Sequence, residues 1–447
     1  MSKNIKAISI SVSIILTAFL LVLIFDHRIV SALFSGRLVY GMDLYHFYSW
    51  RVFIDKSLLS GKIPLWAPFN FGGYPFVASL QPAIFYPSTL MHLILPIKAA
   101  YNLEIIGGML LMAFFMYLWL KGFSLSGLSI LAGMLIFTLS GFTAYRIWAG
   151  HISHLRCVIW LPLVFYAVRK CLETKDRLTF FTFLFIAAWA IGFELTSGFP
   201  QFVVYTFLNL LIYVCGYIIL IQKDQDVKKG FFLIFLLGFF VLALFLCQVI
   251  PTLEDFKFSS IDRSFDYASQ FSLPLKGLIT FILPNFFGSP LNNNYRTDLT
   301  EGYYWELQNY FSIIGLFLAF LAVWSLRRNR PYFQNKNIIM IMAIISIFSL
   351  LIALGKNTPL FGILYYLVPG IKGTRAPARI LGFLSFSIAT LSACGFEGFK
   401  GYLENKFKGR RALVSIILIA ALGLIYSDLT CGAWNRGRSR ITGLSVH

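Results

Sequence analysis

Stretches of about 20 apolar residues recur along this chain, and that feature leaves few folds open. A hydrocarbon core about 30 Å thick needs roughly 20 residues of helix to cross it. Inside it every backbone donor and acceptor must pair within the protein, which restricts crossings to helices or closed barrels. About eleven stretches read as such crossings. They lie near Ala7–Phe25, Ala99–Leu120, Ser126–Tyr145, Leu155–Val168, Leu178–Leu195, Gln201–Ile221, Gly230–Ile250, Asn309–Leu326, Ile338–Leu354, Ile380–Phe396 and Ala412–Tyr426. The fourth is short. Phe85–Pro96 and Leu275–Phe287 are apolar but too short to span, and read as interfacial or re-entrant pieces. Composition agrees: 58% of residues are hydrophobic and 13% charged, against about a quarter charged in a soluble domain. The predicted class is an all-α polytopic membrane protein.

The net charge of +19 does not point to nucleic acid. The basic residues sit in short runs between apolar stretches and form no continuous face. They mark topology instead, because short cytoplasmic loops are enriched in Lys and Arg. Alternate connections are basic: Lys121; Arg169, Lys170, Lys175 and Arg177; Lys223, Lys228 and Lys229; Arg327, Arg328, Arg330 and Lys336; Lys400, Lys406, Lys408, Arg410 and Arg411. This predicts a cytoplasmic N-terminus, with the first apolar stretch kept as an uncleaved span. The opposite face then carries the long loops, including the first, about 26–98. Six cysteines form no paired or metal-ligand spacing. No structural metal site is expected.

The first loop contains the most unusual stretch, Val39–Leu90. It is too polar, and too rich in Gly and Pro, to span. Asp43 stands at its start among Tyr40, Tyr45, His46, Phe47, Tyr48 and Trp50. Aromatics at this density favour the headgroup layer. A carboxylate there is either a solvated loop acid or a general base toward a hydroxyl, made more basic by partial desolvation. Prolines at 64, 68, 75, 82 and 87 exclude a continuous helix. Gly72-Gly73 permits a tight turn. Asn70, Tyr74 and Gln81 offer polar groups on what reads as a platform shaping a substrate cleft.

Asp43 followed by SGKIPLWAPFNFGGYPFVASLQPAIFYP (Ser60–Pro87) resembles the YfhO family of bacterial membrane proteins, within the GT-C superfamily of polytopic glycosyltransferases. Further pieces fit in order: AGHISHL (Ala149–Leu155), ELTSGFPQFVVY (Glu194–Tyr205), YYWELQNYFSIIGLFLAFLA (Tyr303–Ala322) and GTRAPARIL (Gly373–Leu381). The resemblance runs from Met1 to about Asp428, one GT-C-like transmembrane domain with short interfacial helices in its first loop. Family members often continue into a sizeable extracytoplasmic region. Here residues 429–447 form a short basic tail, which reads as a short or truncated form.

The resemblance implies transfer of a sugar from a polyprenyl-phosphate donor, with inversion, on the extracytoplasmic face of the cytoplasmic membrane. The acceptor would be a teichoic acid, another envelope glycan or a lipid-linked species. Asp43 matches the early loop carboxylate that serves as base. Arg375 and Arg379 are the expected phosphate partners, since Arg binds phosphate bidentately and stays charged; the alternative is that they snorkel at the membrane edge. His151 and His154 are expected to bind phosphate when protonated, to orient sugar hydroxyls, or to cap a helix. Glu194 and Glu306, acids beside apolar stretches, and the amide Gln201 are expected to contact substrate. No Gly-rich phosphate loop is present, consistent with a lipid-linked donor. A divalent cation is compatible with this chemistry, though no motif requires one.

Two readings compete. A transporter or flippase of a lipid-linked precursor places ionisable groups near mid-bilayer at broken helices. A non-catalytic subunit of an envelope-assembly complex needs no site. The gathering of ionisable residues at the predicted external ends of the spans favours surface chemistry.

Overall fold

In the computed structural model, the described residues are 12–21, 31, 38, 41 and 43–434, apart from 70–71, 223–226, 261, 291–292, 301, 328–331 and 334. Asn70, most of the N-terminal apolar stretch and the tail beyond residue 434 therefore lie outside them. Among the described residues, eight helices are long and apolar enough to cross a membrane. Two shorter apolar helices, Val12–Leu21 and Ile313–Arg327, accompany them. Among the described residues the all-α architecture has one small exception, an antiparallel pair of two-residue strands, Trp66–Ala67 and Tyr74–Pro75.

Several predicted spans are interrupted. Ser126–Tyr145 becomes two helices, Gly127–Thr138 and Gly141–Ala149. Leu155–Val168 becomes Ile152–Val158 and Leu161–Glu173, with Pro162 opening the second. Broken backbone inside a bundle survives only where protein groups replace the lost bonds. Here the buried extended segment Gln308–Ser312 does so. Gly141 donates its N–H to the Tyr310 carbonyl at 2.7 Å, and Phe142 donates to Asn309 Oδ1 at 3.0 Å. A side chain at Gly141 would collide with that segment, its Cβ falling 2.4 Å from the Tyr310 nitrogen. Asn309 turns its amide to the Leu381 carbonyl and Ser385, each at 3.2 Å. One asparagine thus joins the Gly141 break to the deeply buried helix Leu381–Lys406.

The two ends of the bundle differ. At one end the basic connections hold each other: Arg169 donates to the Gly122 carbonyl, Asn335 to the Phe123 carbonyl, and Lys229 to those of Leu172 and Thr174. Glu397 accepts from the Ser126 N–H and the Ser129 hydroxyl. The other end carries the irregular segments.

The first of these segments is a small fold of its own. Helix Leu44–Leu59 and the hairpin share a core of Ile54, Ala67, Phe76, Val77 and Ile84. Buried charges dock this unit on the bundle. Arg51 bonds Asp55 and Thr89. Glu104, inside the Ile97–Lys121 helix, accepts two bonds from Arg156, at 2.6 and 3.0 Å, and contacts His92 at 3.3 Å. A buried carboxylate is tolerable only with such partners.

Candidate functional site

Asp43 stands at the N-terminus of the Leu44–Leu59 helix, and a backbone crossing brings it to the bundle. The Gly141–Ala149 helix ends at Gly150 in the left-handed region, φ 83°. Gly41 and Gly150 touch there: a Cβ on Gly41 would sit 2.2 Å from the Gly150 nitrogen, and one on Gly150 would sit 2.6 Å from that of Leu44. Asp43 donates its N–H to the Ala149 carbonyl at 3.0 Å. Its side chain, about half exposed, then lies 2.7 Å from His151 Nε2 through Oδ2. Oδ1 has no partner among the described residues.

A chain of contacts runs inward from there. His151 Nδ1 is 3.1 Å from Arg146 Nη1, and Arg146 Nη2 donates to Glu306 Oε2 at 2.9 Å. Arg379 donates to the other Glu306 oxygen at 2.9 Å and reaches Gln201 Oε1 at 3.5 Å. Gln201 in turn donates to the Tyr205 hydroxyl at 2.8 Å. These groups come from five separate segments, and all but Asp43 are buried.

The chemistry of the donors fixes the protonation pattern. A guanidinium only donates, so His151 Nδ1 must accept. The ring hydrogen therefore sits on Nε2 and points at Asp43. Burial lowers the His151 pKa, outweighing its carboxylate neighbour, and keeps the ring neutral. The hydrogen bond from His151 holds the Asp43 carboxyl below the usual range. Burial alone would raise the Glu306 carboxyl, but Arg146 and Arg379 overcome it and keep it ionised well below the usual range. The result is an ionised, half-open Asp43 in a fixed orientation.

His154 stacks on His151, with centroids 5.0 Å apart, and packs against Phe199 at 4.2 Å. Neither of its ring nitrogens has a partner among the described residues. Burial holds its pKa well below the usual value, which favours the neutral ring at neutral pH. Ligand atoms of His151, His154 and Glu306 lie within 4.8 Å of one another. The trio does not suit a cation. Both His151 nitrogens and both Glu306 oxygens are engaged, and two guanidiniums face the same carboxylate.

The structure thus brings together Asp43, His151, His154, Glu306, Arg379 and Gln201. It places four other predicted site residues elsewhere. Arg375 is exposed, its guanidinium 5.7 Å over the Phe271 ring. Glu194 is fully buried, accepts from Thr206 at 2.7 Å and has no cation beside it among the described residues. Tyr74 packs into the first-segment core, and Gln81 is exposed beside the Gly198 turn. Arg146 was missed by sequence reasoning, as were Glu104 and Arg156. Each is an ionisable residue in or beside an apolar stretch, a costly placement that signals a partner. No protein-family model matches the chain, and no curated protein matches it in sequence.

Proposed function

We propose that the chain is a membrane glycosyltransferase that moves a sugar from a polyprenyl-phosphate donor to an envelope acceptor, inverting the anomeric carbon. It belongs, in this reading, with YfhO-like GT-C enzymes of about eleven spans. The reaction takes place on the extracytoplasmic face of the bacterial cytoplasmic membrane. The observation that carries the reading is the half-open Asp43 carboxylate, aimed by a neutral His151 that Arg146 and Glu306 hold from behind. It lies at the bundle end opposite the basic connections.

The acceptor hydroxyl attacks the anomeric carbon as the bond to the donor phosphate breaks. Its proton passes to Asp43 Oδ1. A carboxylate of lowered pKa is a weak base, but the hydroxyl turns acidic as it bonds to the electron-poor carbon, so a late proton transfer suffices. The phosphate leaves with the electron pair of the broken bond. Arg379, already shared with Glu306 and Gln201, contributes field rather than contact; Arg375, which stands apart from this cluster over the Phe271 ring, is the exposed guanidinium proposed to meet it. His151 is a positioning residue in this scheme.

Purified protein in liposomes with a labelled polyprenyl-phosphate sugar and membrane acceptors tests this. Asp43→Asn is expected to lower transfer by about 10²–10⁴-fold while leaving donor binding intact. Transfer at the wild-type rate would remove Asp43 as base. The helix breaks beside the ion cluster, at Leu139–Ser140 and Gln308–Ser312, favour the flippase as a second reading. Scrambling of lipid-linked precursor without sugar transfer would select it.

A further inference from the structure

The turn from the end of the Leu44–Leu59 helix into the hairpin leaves five large apolar side chains open. Leu59 is 70% exposed, Ile63 53%, Leu65 66%, Trp66 55% and Phe69 69%. They form the tip of a unit whose opposite side is its own core, since Trp66 faces out while Ala67 is buried on it. A contiguous apolar patch on a folded surface marks an interaction site. The charges beside the tip are of one sign. Lys56 and Lys62 are exposed, whereas the nearby acid, Asp55, is buried against Arg51.

A second observation sets the height of this tip. Just past the hairpin, the Val77 and Ala78 carbonyls accept from Gln248 at 2.8 Å and Thr252 at 3.2 Å. Both donors lie on the Leu246–Phe258 helix, which follows directly on the apolar span Val227–Leu244. That helix leaves Leu246, Ile250 and Leu253 exposed at spacings of four and three, one face of a helix. The hairpin is therefore fastened to the element that emerges from the bilayer, with open apolar surface continuing from the span.

We propose that the Leu59–Phe69 tip is an interfacial finger occupied by the same bilayer the bundle spans. Leu65, Trp66 and Phe69 enter the boundary between headgroups and acyl chains, and Lys56 and Lys62 meet the phosphates of anionic phospholipids. The finger fixes the far end of the helix that begins at Asp43.

The test uses the full chain in nanodiscs of phosphatidylcholine and phosphatidylglycerol, with Cys215, Cys247 and Cys431 replaced by Ser. Nitroxide labels at Leu65→Cys, Phe69→Cys and Lys62→Cys are read by power saturation against oxygen and a water-soluble nickel chelate. Labels at 65 and 69 are expected about 5–10 Å below the phosphates, with 62 at the phosphate level. Nickel accessibility at both 65 and 69 equal to that of a free aqueous loop would overturn the proposal. So would strong dipolar broadening between two copies labelled at 69, which would make the tip a chain–chain interface. Leu65→Cys guards against loss of the Phe53–Phe69 ring contact in the other variant. No outcome depends on sugar transfer.

Discussion

Glu306→Gln is the most demanding perturbation of this structure. The Glu306 carboxylate accepts from Arg146 at 2.9 Å on one oxygen and from Arg379 at 2.9 Å on the other. Opposite charges about 4 Å apart at an effective dielectric near 20 attract by roughly 4 kcal/mol. Two such pairs contribute about 8 kcal/mol gross, and each buried ion costs several kcal/mol to desolvate. The amide keeps one acceptor oxygen but removes the charge. It leaves two buried guanidiniums facing each other, and one loses its acceptor. Breaking a buried pair in this way costs about 3–5 kcal/mol. Unfolding free energies in mixed micelles, measured by titration with a denaturing detergent, check the figure. Adding Arg379→Gln should then cost less than it does alone, with a coupling of at least about 1 kcal/mol in the double-mutant cycle. The reasoning fails if Glu306→Gln stays within about 1 kcal/mol of wild type, or if the two substitutions simply add.

Other outcomes follow from the same geometry. Gly150→Ala forces a side chain into the left-handed region and onto the Leu44 nitrogen; it should cost at least about 2 kcal/mol by the same titration. It should also abolish the protection of the Asp43 amide from hydrogen exchange. Glu104→Gln strands Arg156 and His92, costs about 3–5 kcal/mol, and should make residues 44–94 the first region cut in limited proteolysis. Burial depresses the pKa of His92, His151 and His154 below the unfolded value. Between the folded and unfolded values the unfolded chain binds more protons, so stability should fall as pH drops below about 6.5, by up to roughly 1.4 kcal/mol per pH unit for each histidine. His154→Gln should remove one histidine's share of that slope; a flat profile between pH 7 and 5.5 in the wild type would contradict the buried neutral rings.

How far the sequence reached depends on which interactions are local. Apolar runs such as Ile338–Leu354 become helices because length and hydropathy decide a crossing without help from elsewhere. The break after Thr138 has no Pro or Gly pair to announce it. It exists because Asn309, 167 positions away from Phe142, supplies the acceptor that the helix gives up. Asp43 was legible as a carboxylate among interfacial aromatics, but its partner His151 is 108 positions distant, and Arg146 lies 160 from Glu306. Spacing along the chain carries no trace of such pairs.

What the sequence does contain is a charge balance. Among the described residues, four buried arginines, at 51, 146, 156 and 379, stand beside four buried acids, of which Asp55, Glu104 and Glu306 pair with them and Glu194 does not. The fourth guanidinium falls at Glu306, where two share one carboxylate. Were the cluster only a structural clasp, a single pair would have sufficed at lower desolvation cost. In the proposed reading, the second guanidinium behind a half-open Asp43 instead suits a site that receives the anionic phosphate of a lipid-linked donor.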